Sequence, residues 1–119
     1  QLKLVCAEGD AGWMPHYTYR MDHAARNFAE GGIIPGLSKL PSAYLRSNVW
    51  TTFQDDWVAF QSKDLMSHTQ LLWANDYPHT DSTWPHSQAL LATHAAHLTA
   101  QERQDILRDN VSRVFGLSL

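Results

Sequence analysis

One hundred and nineteen residues, 44% apolar and 18% charged, make one globular domain with a modest core and exclude a disordered chain. A net charge of −3 from 9 basic and 12 acidic residues, with no basic run, excludes nucleic acid as the expected partner. No apolar run approaches the roughly 20 residues that span a bilayer, so no membrane partner is expected either. The single Cys6 excludes an internal disulfide and fits a reducing, cytoplasmic setting.

In chain order, Leu2-Lys3-Leu4-Val5-Cys6-Ala7 is a nearly continuous apolar run closed by Glu8-Gly9-Asp10, and reads as a buried strand with an acidic end. A helix opens at Trp13-Met14-Pro15, with the proline in the first turn, where its missing N–H costs nothing. Trp13, Tyr17, Met21, Ala24 and Phe28 predict its buried stripe, and Gly31-Gly32 its end. A loop over residues 33–40 and a single helical turn over residues 41–46 lead to Asn48-Val49-Trp50-Thr51-Thr52-Phe53, a second strand rich in β-branched and aromatic residues.

Asp55 or Asp56 caps a helix predicted over residues 57–66, with Val58, Leu65 and Met66 as its apolar contacts. A third strand over residues 71–75 delivers Asn75, Asp76, Tyr77, Pro78 and His79 into a polar loop that ends near Pro85. A helix over residues 86–98 follows, and Thr99-Ala100-Gln101-Glu102 has the capping-box spacing that starts the last helix, closed by Gly116. Strands that are apolar throughout, alternating with helices, predict a parallel sheet covered on both faces. In such folds ligands bind at the carboxyl ends of the strands. Those ends carry Glu8 and Asp10, Thr52 and Gln54, and Asn75, Asp76 and His79. Three strands leave two open edges, so either the chain pairs with a copy of itself or further strands complete the sheet.

Four segments in order carry a family resemblance: Leu4-Val5-Cys6-Ala7-Glu8-Gly9-Asp10-Ala11-Gly12-Trp13 with Tyr19-Arg20-Met21-Asp22; Pro41-Ser42-Ala43-Tyr44-Leu45-Arg46-Ser47-Asn48-Val49-Trp50; Trp73-Ala74-Asn75-Asp76-Tyr77-Pro78-His79 through Trp84-Pro85-His86-Ser87; and residues 108–117. The chain resembles the C-terminal part of the amidohydrolase-related metal-dependent hydrolases, a family that includes aminocarboxymuconate-semialdehyde and resorcylate decarboxylases. The resemblance implies an α/β fold made of about the sixth to eighth strands of a (β/α)8 TIM barrel, with residues 1–119 a partial barrel domain lacking the N-terminal strands.

By the same resemblance Asp76 is the carboxylate at the end of the eighth strand, which binds a divalent metal, expected to be zinc, or deprotonates the metal-bound water. Glu8 stands where the family often has a catalytic histidine, and Glu8, His79 and Trp84 are the expected substrate-pocket residues. The implied activity is hydrolysis or decarboxylation of a small carboxylated or cyclic substrate. The family's remaining metal-binding histidines have no counterpart here, so the isolated chain is expected to be inactive, with the missing part of the barrel or a homo-oligomer as its partner. The alternative is a non-enzymatic half-barrel that self-associates or complements another chain. A histidine-rich metal module is disfavoured, because the seven histidines are scattered without ligand spacing. His94 and His97 are read as a surface pair, and His86 as a cap or surface residue.

Overall fold

The computed structural model describes residues 2–28 and 34–119. Three short strands, β1 (Leu4–Cys6), β2 (Val49–Phe53) and β3 (Leu71–Trp73), form a parallel sheet in the order β1-β2-β3. Helices α1 (Trp13–Phe28), α2 (Pro41–Asn48), α3 (Trp57–Gln61) and α4 (Ser87–His94) fall between and after the strands. The chain ends in a run of α5 (Ala100–Gln104), a π-helical segment (Asp105–Asp109) and α6 (Asn110–Phe115). The expected order of elements is therefore observed. No helix among the described residues is long and apolar enough to cross a membrane.

Register fixes the two faces of the sheet. Leu4 pairs with Val49, Cys6 with Thr51, Thr51 with Leu71 and Phe53 with Trp73, so these side chains share one face. That face meets the helices in one core containing Met14 of α1, Phe60 of α3, Leu91 of α4 and Ile106. Phe53 and Phe60, both fully buried, meet edge to face with ring centres 5.1 Å apart. Burying each such side chain is worth about 1.5–3 kcal/mol.

The expected cover on both faces is not observed. β2 alternates buried and half-buried residues, and Leu4 of β1 is 51% exposed. The sheet has helices against one face, and the opposite face carries Val5, Trp50, Thr52 and Leu72, of which only Leu72 is fully covered.

Three helices differ from expectation. The buried residues of α1 are Met14, Asp22 and Ala25, while Tyr17 and Phe28 of the expected stripe are exposed. The helix is rotated because Asp22 must face α2: its Oδ1 accepts the backbone N–H of Ser42 at 2.9 Å, satisfying a helix start whose own cap position, Leu40, has no side-chain acceptor. Helix α3 stops at Gln61, where Ser62 leaves helical geometry, so Leu65 is 67% exposed although Met66 is buried. Helix α4 likewise ends at His94, short of residue 98. The glycine pair expected to end α1 lies outside the described residues. Other signals hold: Asp56 caps α3, Thr99 and Glu102 form a reciprocal capping box, and Gly116 closes α6 with φ of 69°. Lys63 and the Thr99 bonds hold the Glu102 carboxyl down at about 2.

Two buried amides tie the amino-terminal ends of the strands to the helices. Gln70 Nε2 donates to the carbonyls of Leu45 and Val49, both at 2.8 Å. Asn110 Nδ2 donates to those of His68 and Leu71, also at 2.8 Å, and Asn110 is fully buried. Beneath them Asp105 accepts from His68, Arg113 and Gln101. Burial works to raise the Asp105 carboxyl, and the hydrogen bonds from Arg113, His68 and Gln101 outweigh it and hold the group below the usual range.

Removing the Asn110 side chain takes a donor from the buried Leu71 carbonyl and opens a void, while the His68 carbonyl keeps the Leu71 N–H. Asn110→Ala is expected to lower the unfolding free energy by about 2–4 kcal/mol, read as a lower urea midpoint at unchanged slope. The exposed Gln88→Ala, by contrast, should change it by less than about 0.5 kcal/mol.

Candidate metal centre

Parallel pairing brings the carboxyl ends of all three strands to one edge of the sheet. The chain leaves β1 through Glu8 and Asp10, and leaves β3 through Asp76. All three adopt left-handed backbone conformations, with φ of 53°, 50° and 58°. A non-glycine residue there costs about 1–2 kcal/mol, more for Glu8 than for the two aspartates, which tolerate the region better. Surrounding bonds over-determine these turns. The Glu8 N–H donates to Thr52 Oγ1 at 2.9 Å. The Asp10 carbonyl accepts from Thr51 Oγ1 at 2.6 Å and from the Trp13 indole at 2.9 Å.

Asp56 then ties this loop to the next. Its Oδ2 accepts the N–H groups of Ala11 and Gly12 at 2.9 and 3.2 Å, while Oδ1 caps α3 through Ala59. One carboxylate thereby fixes the β1–α1 loop against the start of α3.

The loop after β3 is organised by Asn75. Its carbonyl accepts from Thr83 N at 3.1 Å and from Ser82 Oγ at 2.7 Å, and its side chain accepts the Tyr77 N–H at 3.2 Å. Ser82 Oγ in turn receives the Trp84 N–H at 3.1 Å. The Tyr77–Pro78 and Trp84–Pro85 peptide bonds are cis. The loop is thus folded back onto the residue that precedes Asp76, and the Asp76 carboxylate is 19% exposed against 70% for the His79 ring.

Three of the residues expected in the site come together. One carboxylate oxygen each from Glu8 and Asp76 and a ring nitrogen of His79 lie within 4.8 Å of one another. His79 Nδ1 is 3.2 Å from Asp76 Oδ2. Two hard carboxylates and an imidazole at this spacing are a donor set suited to a divalent cation. The surroundings are acidic as well: burial, then the charges of Asp56, Asp81 and Asp55, raise the Asp10 carboxyl. Trp84, the fourth expected residue, packs edge-on against Tyr77 with ring centres 5.0 Å apart and lies in the same loop.

The sequence gave no sign of the part Asn75 plays as the hub of this loop. Three of the other six histidines are engaged elsewhere: His68 with Asp105, His97 Nε2 with the Phe60 carbonyl at 3.1 Å, and His94 beside Asp55 at 3.7 Å. His94 and His97 are therefore not a pair. His86 precedes α4 without a side-chain capping bond.

The strained turn at Glu8 predicts a trade between stability and binding. Glu8→Gly relieves the backbone and should leave thermal stability equal or up to about 1 kcal/mol higher, whereas the β-branched Glu8→Val should lose about 1–2 kcal/mol. Thermal melts of the two variants beside the parent check the order.

No curated protein matches the chain at a significant level. Solved structures do. A 5-carboxyvanillate decarboxylase from Sphingomonas paucimobilis superposes with a TM-score of 0.73 at 24% identity, covering 98% of this chain and 34% of that one. A 5-carboxyvanillate decarboxylase from Novosphingobium aromaticivorans, in complex with manganese and 4-hydroxy-3-methoxy-5-nitrobenzoic acid, gives 0.66 at 23%, covering 98% and 33%. A dihydroxybenzoic acid decarboxylase from Polaromonas with bound manganese and the inhibitor 2-nitroresorcinol gives 0.65 at 18%, covering 98% and 34%. The chain thus spans about a third of the length of the structures it matches. The fold is the expected one, the C-terminal portion of a (β/α)8 barrel. The family model for amidohydrolases matches residues 5–117, and the chain belongs to that family.

Proposed function

We propose that residues 1–119 form a partial barrel domain of a metal-dependent amidohydrolase-family enzyme that decarboxylates, or hydrolyses, a small carboxylated cyclic substrate. The observation that carries the reading is the convergence of Glu8, Asp76 and His79 at the carboxyl edge of the sheet. Decarboxylation is favoured over hydrolysis because the matched structures above are all decarboxylases, two of them holding manganese and an aromatic ligand.

The donor set fits a divalent ion, which when bound supplies Lewis-acid polarisation of a substrate oxygen. Zinc was the expected ion. A set richer in oxygen than in nitrogen suits manganese at least as well. Asp76 is the central residue. His79 Nδ1 lies 3.2 Å from Oδ2 and orients that carboxylate oxygen, leaving the other free to hold the ion or to take up and return a proton. Glu8 supplies the second carboxylate and His79 the imidazole of the cluster, and Trp84 lies in the same loop as Asp76 and His79. Among the described residues this site gathers three donors, fewer than an octahedral ion takes, so the isolated chain is expected to be inactive until other strands or a second copy contribute. The open edges of β1 and β3, each paired on one side only, support such completion, either by the rest of a barrel or by self-association.

Asp76→Asn keeps the shape and removes the charge. In the active assembly it is expected to lower turnover of 2,6-dihydroxybenzoate by about 100-fold or more and to abolish stoichiometric manganese in elemental analysis. An Asp76→Asn protein with full metal content and parental turnover would remove the proposal.

A further inference from the structure

The early end of α3 leaves a gap beside α1 and α2. The helix stops at Gln61, and Leu65, which the sequence assigns to the core, instead lines a cavity of about 590 Å³. On α1 the lining residues Pro15, Tyr19, Asp22 and Arg26 are spaced four, three and four apart, so they share one face of the helix. On α2 the lining residues are Ser42 and Arg46, one turn apart. A second cavity of about 420 Å³ shares Arg46 and Leu65 with the first and reaches Met66.

Charge decides what this space can take. With His16 neutral, two arginines and one aspartate give the first cavity a net charge of one positive, in a chain of net charge −3. The aspartate is already used: Asp22 Oδ1 accepts the Ser42 N–H at 2.9 Å, and Arg26 Nη2 stands 3.7 Å from Oδ2. In the second cavity Asp64 is matched by Lys63 at 3.0 Å. Arg46 is left over. Among the described residues no hydrogen bond or ion pair engages its guanidinium. That group is permanently charged and offers a fork of N–H donors matched to a carboxylate. Pro15 and Leu65 add apolar surface beside it, and Leu65 is 67% exposed. A dianion would meet the Asp22 carboxylate, and a neutral ligand would leave the fork unused.

We propose that these joined cavities bind a small aliphatic monocarboxylate, its carboxylate on Arg46 and its hydrocarbon chain against Leu65. None of Glu8, Asp76 and His79 lines either cavity, so the site is separate from the metal centre and stands independently of the catalytic reading.

Calorimetric titration of the full chain with hexanoate and with hexan-1-ol tests this. Hexanoate is expected to bind at one site and hexan-1-ol about 10-fold more weakly or less. Arg46→Gln should weaken hexanoate about 10-fold and leave hexan-1-ol unchanged, and Arg46→Lys, which keeps the charge without the fork, should recover part of the loss. Leu65→Ser should weaken both ligands by about 3-fold or more. Arg46 and Leu65 are both exposed, so these variants are expected to melt within a degree or two of the parent. Asp76→Asn is expected to bind hexanoate as the parent does. Equal affinity for the acid and the alcohol, undiminished hexanoate binding in Arg46→Gln, or no saturable hexanoate binding would overturn the proposal. Loss of hexanoate binding in Asp76→Asn would also overturn it, by placing the acid at the metal centre.

Discussion

Parallel pairing of three short strands is the constraint on which everything else depends. Only when β1, β2 and β3 run the same way do Glu8, Gln54 and Asp76 leave the sheet at the same edge. The registers of Leu4 with Val49 and Thr51 with Leu71 set this alignment, and the two amides of Gln70 and Asn110 lock its far end to the helices. One end of the sheet is therefore built for stability, with buried polar groups fully bonded. The other end carries backbone strain and clustered charge.

That polarity has an energetic logic. Left-handed turns at Glu8, Asp10 and Asp76 and the crowding of Asp10, Asp55, Asp56 and Asp81 all work against folding. They persist because Thr51, Thr52, Asp56 and Asn75 hold the backbone from every side. A cation placed among the carboxylates would relieve the repulsion and return part of that cost on binding. The proposed role of Asp76 rests on the geometry of this edge, in a chain that belongs to the amidohydrolase family.

Much of this was legible in the residues. Asp56 before Trp57, Thr99 with Glu102, and Gly116 are local signals, and local signals survive into the structure because the bonds involved span only a few residues. Asp76, Glu8 and His79 could be placed among the polar residues at strand ends because apolar runs precede them, while the site roles proposed for them came from the family resemblance. What sequence could not supply was long-range geometry. The rotation of α1 follows from Asp22 capping a helix twenty residues away, so a stripe drawn through Tyr17 and Phe28 was bound to miss. Leu65 looked like a core residue until Ser62 ended α3 ahead of it. The π-helical turn at Asp105–Asp109 and the role of Asn75 as the hub of its loop have no local signature at all.

The central claim is that Glu8, Asp76 and His79 together hold one divalent ion. The most direct test is a crystal of the protein grown with manganese and measured on either side of the manganese absorption edge. The account predicts a single anomalous peak bonded to the Asp76 carboxylate, with Glu8 and His79 in its coordination sphere. A peak bonded to other residues, or no peak near Asp76 at saturating manganese, would contradict it.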